Sequence, residues 1–420
     1  MTAPLLRRVM AGDVRRRVAP GFDATTMTAA AAIVSDVRER GAVAVLAHAE
    51  RLDDWTPGTP WLHDKAALAA ALDALDPATR ELLSRAATRI RRFAEAQRQS
   101  LGDVDVAVDG GRAGHTVLPM RRAGCYAPAG RFPLVSSLLM TVVTAKAAGV
   151  TEVWVATPRP GPLMLAAAAI AGADGVLGLG GAHGIAALAY GAGPLPACDI
   201  VVGPGNRWVT AAKKCVAGDV AIDFLAGPSE LVVVADESAD PAIVASDLLA
   251  QAEHDVDALT VLVTTDLALV SRVEAELVRQ LASLPTAEIA RAALGNGMAV
   301  VCANLDEVVA VCGTLAPEHL QLSMGAPADL ASRLQHAGAL FLGERSAEVF
   351  GDYGIGPNHV LPTGAGARFT GGLSVLNFLR VRTWLDVRDV ATIVNDVAVL
   401  ARLEGLEAHA RAAEARAMNA

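Results

Sequence analysis

In the stretch LLAQAEHD, Leu248 to Asp255, two side chains have the types and the spacing to do chemistry together: Gln251 and His254. Three residues apart on an amphipathic helix, they leave from one face, while Glu253 lies on another side. A neutral imidazole is the commonest transition-metal ligand, and an amide oxygen is a weaker, harder one. Two donors do not make a site. A half-buried helix whose Gln and His are simply hydrogen-bonded reads the same way, so the rest of the chain must supply a carboxylate and a second imidazole.

Several stretches offer such groups. PEHL places Glu318 beside His319. An imidazole suits proton abstraction near neutral pH and an adjacent carboxylate can activate a water, although the bare dipeptide is also a common surface feature. GDYGIGPNH offers Asp352 and His359 in a glycine-rich loop, a kind of segment that serves function more often than packing. In GPSE, Ser229 either touches a ligand or caps a turn, and nothing resembles a GxSxG nucleophile elbow. Glu404 and His409, near the end, read alone as a solvated helix face.

Two glycine-rich turns point to phosphates. GLGGAHG, Gly178 to Gly184, follows a strand and opens a helix, where helix N–H groups meet a nucleotide. His183 stands at the third glycine position of GxGxxG, and no acid ends a following strand at the expected distance. GPGN, Gly203 to Asn206, repeats the arrangement one unit later. Neighbouring strand-end loops of one sheet suit a dinucleotide, and structural glycine turns are the other reading.

The elements that must position these residues alternate. From Arg122, the runs GCYAP, VWVATP, GVLGLG and DIVVGPGN end in Gly or Pro, with helical patterns at 136–149, 161–172, 183–191 and 207–216. The rhythm restarts with strands at 231–236, 259–266, 298–304 and 338–343 and helices near 240–254, 267–283, 305–313 and 327–336. Strand, helix and strand at this pitch predict parallel sheets with crossover helices, in two successive α/β halves. Ahead of them lie a short basic arm, helical segments at 25–50 and 65–100, and a hairpin in VDVAVDGGRAGHTVLPM. Gly41 punctuates the first helical segment, and Asp23 or Thr25 could cap it. The chain ends in one or two helices, about 389–418, a candidate for docking on another subunit.

Bulk properties exclude some partners. The 420 residues carry 36 Lys plus Arg against 45 Asp plus Glu, a formal charge of −9, with no basic helix. Aromatics are 4 % of the chain, so neither an electrostatic footprint nor a stacking platform for nucleic acid is present. The longest apolar run, Leu163 to Ala173, is too short to span a bilayer. Five scattered cysteines read as free thiols in a reducing compartment, and no secretory leader is visible, so a cytoplasmic protein is expected.

QAEH, PEHL, GDYGIGPNHVLPT and RLEGLEAH occur in this order, and the series resembles the histidinol dehydrogenase family from about residue 20 to the C-terminus. The resemblance implies an α/β fold of two Rossmann-like parallel-sheet domains without a standard dinucleotide fingerprint. These would be residues 122–229 on the NAD side and a discontinuous 21–121 plus 230–372. A short N-terminal arm, 1–20, and a helical tail, 373–420, would complete the chain. It implies a homodimer whose tails complete each other's sites. Gln251, His254 and Asp352 resemble three Zn²⁺ ligands, and His409 a fourth from the partner. Glu318 and His319 resemble the acid/base pair. Ser229, Gln251, His254, His319, Asp352, His359, Glu404 and His409 resemble substrate contacts, and Tyr126, His183 and Asn206 cofactor contacts.

The activity so implied is oxidation of an amino alcohol, L-histidinol, to L-histidine through histidinal with two NAD⁺. Two departures lie in the nucleotide half. His183 stands where the family usually has Gln, and YAPAGRFPLVSS replaces YxPGGxAxYPS. The second variant resembles homologues that oxidise other small alcohols, such as sulfonated propanediols. A non-catalytic binding homologue is the reading from outside the enzymes, and the retained Glu318 and His319 speak against it.

Overall fold

The computed structural model describes residues 4–16, 22–129 and 133–417. Two six-stranded sheets organise them. The first, here the Tyr126 sheet, runs Leu62–His63, Gly175–Leu177, Glu152–Ala156, Arg122–Tyr126, Ile200–Val202 and Ala221–Ile222 in spatial order, and its five later strands are parallel. The second, the His319 sheet, is wholly parallel: Arg7–Met10, Met298–Val301, Leu259–Thr264, Glu230–Ala235, His319–Ser323 and Ala339–Leu342. A strand such as LVVVA is apolar throughout because helices cover both faces, and every residue in it and in LTVLVT is buried.

The predicted α/β class and its strand–helix alternation are present, and one interior strand of the His319 sheet has no counterpart in the sequence reading. His319–Ser323 is the neighbour of Glu230–Ala235, so PEHL is the entry to a central strand rather than a surface dipeptide. Gly41, with φ of 55°, separates the helices Ala24–Arg40 and Ala42–Arg51, and the Asp23 side chain caps the first by accepting from Thr26 N–H. The hairpin forms as Val104–Val108 and Gly111–Pro119. The strand Leu379–Val387 joins it in a third, antiparallel sheet.

The domain boundaries need correction. Residues 21–121 do not join 230–372. The helices Ala24–Arg40 and Ala42–Arg51 pack on Gly181–Tyr190 and Arg207–Val216, burying Ala30, Ile33, Val34 and Val37 in the core of the Tyr126 sheet. Lys65–Asp73 and Pro77–Gln99 pack against Pro162–Ala171 and Val135–Ala148 on its other face. An apolar stripe declares that a helix is buried, but not against which sheet. The arm is not a separate appendage either. Arg7–Met10 is the edge strand of the His319 sheet, with Leu6 buried and its N–H donating to the Glu274 carboxylate at 2.9 Å. Residues 1–3 and 17–20 of the predicted arm lie outside the described residues.

Candidate active site

A cleft of about 640 Å³ opens between the two sheets. Gln251, His254, Glu318, His319, Glu348, Asp352 and His359 face it from one side, with Asn206 and Ser137 from the other and Ser229 at the junction. All of these but Glu348 and Ser137 were candidates from the sequence, and folding brings those candidates together from five separate stretches.

His319 and Glu318 stand at the N-terminal end of their strand. The His319 Nδ1–H donates to the Glu230 carbonyl at 3.1 Å, which fixes the tautomer and leaves the Nε2 lone pair buried without a partner. Burial pushes the His319 imidazole down to about 4, so it is a neutral base at physiological pH. Glu318 accepts from Glu230 N–H at 2.9 Å, yet burial raises its carboxyl well above the ordinary range. Gly338 lets this backbone approach its neighbour: a Cβ there would lie 2.5 Å from the Glu318 carbonyl oxygen.

Gln251 is fully buried, and neither its Oε1 nor its Nε2 has a hydrogen-bond partner. A buried amide without partners costs on the order of 1–3 kcal/mol per group, so it marks a place for a ligand. The helix, however, is Pro241–Ala252, and Glu253 caps it. His254 therefore sits in the following turn, partly exposed, its Nδ1 2.9 Å from the Ala250 carbonyl and its Nε2 3.8 Å from Asp352 Oδ2. The pair converges by a turn and not by a shared helix face.

The donor set suits a divalent cation of borderline softness: one amide oxygen, one imidazole and one carboxylate. His319, Glu348 and Asp352 also bring ligand atoms within 4.8 Å of one another. In the second grouping His319 could offer only its unpartnered Nε2, since its Nδ1 is committed to the Glu230 carbonyl. His359 donates from Nδ1 to the Asp352 carbonyl at 2.8 Å and places Nε2 3.3 Å from Ser137 Oγ. Burial lowers its pKa.

Sequence reasoning missed Glu348. It is buried, its Oε1 is 3.6 Å from His319 Nδ1, and its Oε2 lacks a partner. Burial, then the Asp352 and Glu318 carboxylates, raise its pKa well above the usual value. SAEVFGD carries no local mark of this, since an acid in a short amphipathic segment reads as surface. Glu404 and His409 are the opposite case. Both are exposed on the tail helices Val394–Leu403 and Glu407–Ala417 and its connecting turn, and neither lines the cleft of its own chain.

A second cavity, about 760 Å³, lies at the C-terminal ends of the Tyr126 sheet's strands, bounded by Tyr126, Gly181, His183 and Asn206. Asn206 lines both cavities and caps its helix by accepting from Trp208 N–H at 3.0 Å. Gly203, with φ of 117°, sits where a Cβ would come 2.1 Å from the Tyr126 carbonyl oxygen. Its loop is clamped by the buried Lys213, which donates to the Gly203 carbonyl and pairs with Asp223, while Asp223 accepts from Gly203 N–H at 2.8 Å. Of the divergent segment RFPLVSS, Arg131 and Phe132 lie outside the described residues; Leu134, Ser136 and Ser137 line the cleft.

The description "Histidinol dehydrogenase" matches residues 19–417. The chain belongs to the histidinol dehydrogenase family. A Thermus thermophilus histidinol dehydrogenase is 46 % identical over 416 residues, covering 97 % of this chain and 99 % of that one. The Ralstonia nicotianae histidinol dehydrogenase is 41 % identical over 426 residues, 99 % of this chain and 95 % of its own length. The crystal structure of histidinol dehydrogenase from Elizabethkingia anophelis superposes with a TM-score of 0.92 at 28 % identity, covering 100 % of each chain. Membership makes the protein an NAD-dependent oxidoreductase. No helix among the described residues is long and apolar enough to cross a membrane.

Proposed function

We propose that the protein oxidises L-histidinol to L-histidine through histidinal, reducing two NAD⁺ with one Zn²⁺ per subunit, as the last steps of histidine biosynthesis in the cytoplasm. One observation carries the reading: the unpartnered His319 Nε2 and the unpartnered Gln251 amide share a cleft with Glu318, Asp352 and His254. Gln251, His254 and Asp352 would hold the zinc, joined by His409 from a second copy of the chain. Exposed Val397, Leu400, Leu403 and Leu406 on the tail support such a copy. When bound, zinc fixes an imidazole and an amine in place and NAD⁺ accepts hydride.

The chain's own residues do the proton work. His319 takes the hydroxyl proton at Nε2 as the alcohol carbon loses hydride. Its Nδ1–H, held by the Glu230 carbonyl, keeps the ring aimed throughout. In the second oxidation Glu318 draws a proton from the water that adds to the aldehyde. A carboxylate that burial makes more basic is suited to that task. Ser229, His359 and, from the second copy, Glu404 contact the substrate.

A second reading is a dehydrogenase for another small polar alcohol, such as a sulfonated propanediol. The cleft-lining Leu134 favours it, because this residue stands where the family pattern has Tyr. Following NADH release from purified protein with L-histidinol and with small diols, with and without a chelator, separates the two. Chelator-sensitive turnover of L-histidinol is expected, and turnover of diols alone sinks the first reading.

A further inference from the structure

His183 occupies the third glycine position of GLGGAHG, and the chain supplies it with a partner from far upstream. Asp54 Oδ2 lies 3.1 Å from His183 Nε2 and accepts the Gly180 N–H at 2.6 Å, at the N-terminus of the ten-residue helix Gly181–Tyr190. The Gly181 N–H donates to the Tyr126 hydroxyl at 3.2 Å. Two amides at the helix start are therefore taken by side chains, one of them an anion. A pyrophosphate seated there would displace the cap and meet a like charge. The sequence reading of this loop as a phosphate cradle does not fit that arrangement.

What the loop does present is a pair of acceptors. With Nε2–H given to Asp54, the His183 Nδ1 lone pair remains buried and unpartnered, in a side chain only 2 % exposed. Asp54 lines the 760 Å³ cavity, and among the described residues its Oδ1 has no hydrogen-bond partner. Two acceptors call for a ligand that donates, such as the hydroxyls of a ribose. Arg159, exposed at the same cavity, is the complement for phosphates. In dinucleotide sites an acid that hydrogen-bonds ribose hydroxyls also disfavours a phosphorylated ribose. That acid is missing downstream of the glycine loop here, and Asp54 stands in its place.

We propose that Asp54, oriented by His183, is the specificity-determining residue of the cofactor cavity: it binds the ribose hydroxyls of NAD and excludes the 2′-phosphate of NADP. The inference rests on the cofactor reading above and adds the residue that decides between the two nucleotides. Its test is equilibrium binding of ADP-ribose and of 2′-phospho-ADP-ribose to the unaltered protein, without any alcohol, so the identity of the substrate does not enter. ADP-ribose is expected to bind more tightly by about tenfold or more. Equal binding overturns the proposal alone; no binding of either ligand overturns the cofactor site with it. In the second arm, Asp54→Asn keeps an acceptor for the Gly180 N–H and removes the charge. The ratio of kcat/KM for NADP to that for NAD is expected to rise about tenfold. A fall of both by the same factor assigns Asp54 to packing and refutes selection.

Discussion

The Tyr126 sheet and the His319 sheet meet at the cleft by opposite edges. In the first, the functional side chains follow the strands: Tyr126 closes Arg122–Tyr126, and the loops Gly178–Gly184 and Gly203–Asn206 leave Gly175–Leu177 and Ile200–Val202. In the second they precede or begin them, as Ser229, Glu318 and His319 do. A crossover helix runs back along its sheet, so the first edge collects helix N-termini and the second collects helix C-termini. Pro241–Ala252 ends one residue past Gln251, and Leu305–Leu315 ends just before Glu318. The partial charges at these ends differ in sign: positive at the edge that would face a nucleotide, negative at the edge that would hold a cation. One fold plan, used twice and turned over once, gives two sites of opposite electrostatic character.

The largest expected effect bears on whether the cation edge is complete in one chain. Deleting the residues after Glu404 removes His409 and should abolish NADH production while leaving ADP-ribose binding in place. Full activity of the truncated protein would refute the shared site. Next, His319→Asn should slow oxidation by about 10²–10⁴-fold, the usual worth of a positioned base, with zinc content by metal analysis unchanged. Loss of zinc in this variant would move His319 from the proton to the metal.

On the nucleotide edge, Gly203→Ala forces a Cβ against the Tyr126 carbonyl at a left-handed φ. The strain should cost about 1–3 kcal/mol and raise the KM for NAD more than that for the alcohol. Equal changes in both would show that the two edges are not independent.

The smallest effect concerns the support behind the cation edge. Asp247 is buried against Gln321, whose Nε2 donates to it at 2.5 Å, and burial raises its pKa to about 6. The folded state then holds the proton more tightly than the unfolded chain, where the ordinary value is 3.8. Its contribution to stability is full at low pH and is lost as pH rises through 6. Asp247→Asn should raise the unfolding free energy at pH 8 by at most about 3 kcal/mol, with no gain near pH 3.5. A gain equal at both pH values would contradict the titration.

Much of this was legible in the chain because glycine-rich turns and apolar strands are local signals. GPGN and GLGGAHG announced their loops, and QAEH and PEHL their donors. What was not legible is long-range. Asp54 meets His183 across 129 residues, and nothing in RLDDW marks it. HLQLS has the alternation of a strand, but it is only five residues long, and PEHL reads equally as a surface feature. The helices before residue 100 show their apolar stripes but not the sheet that receives them.

Arg7–Met10 pairs with Met298–Val301, so nearly three hundred residues separate two adjacent strands. The Tyr126 sheet and its helices lie wholly within that interval. During synthesis most of this inner part emerges while the first strand waits for its neighbour, and Val360, Leu373, Val375 and Phe378 complete its core later. The His319 sheet therefore gains its edge strand only after this inner part has emerged. Until residues 298–301 have emerged, Arg7–Met10 has no strand to pair with, and a chaperone or a neighbouring chain can reach it.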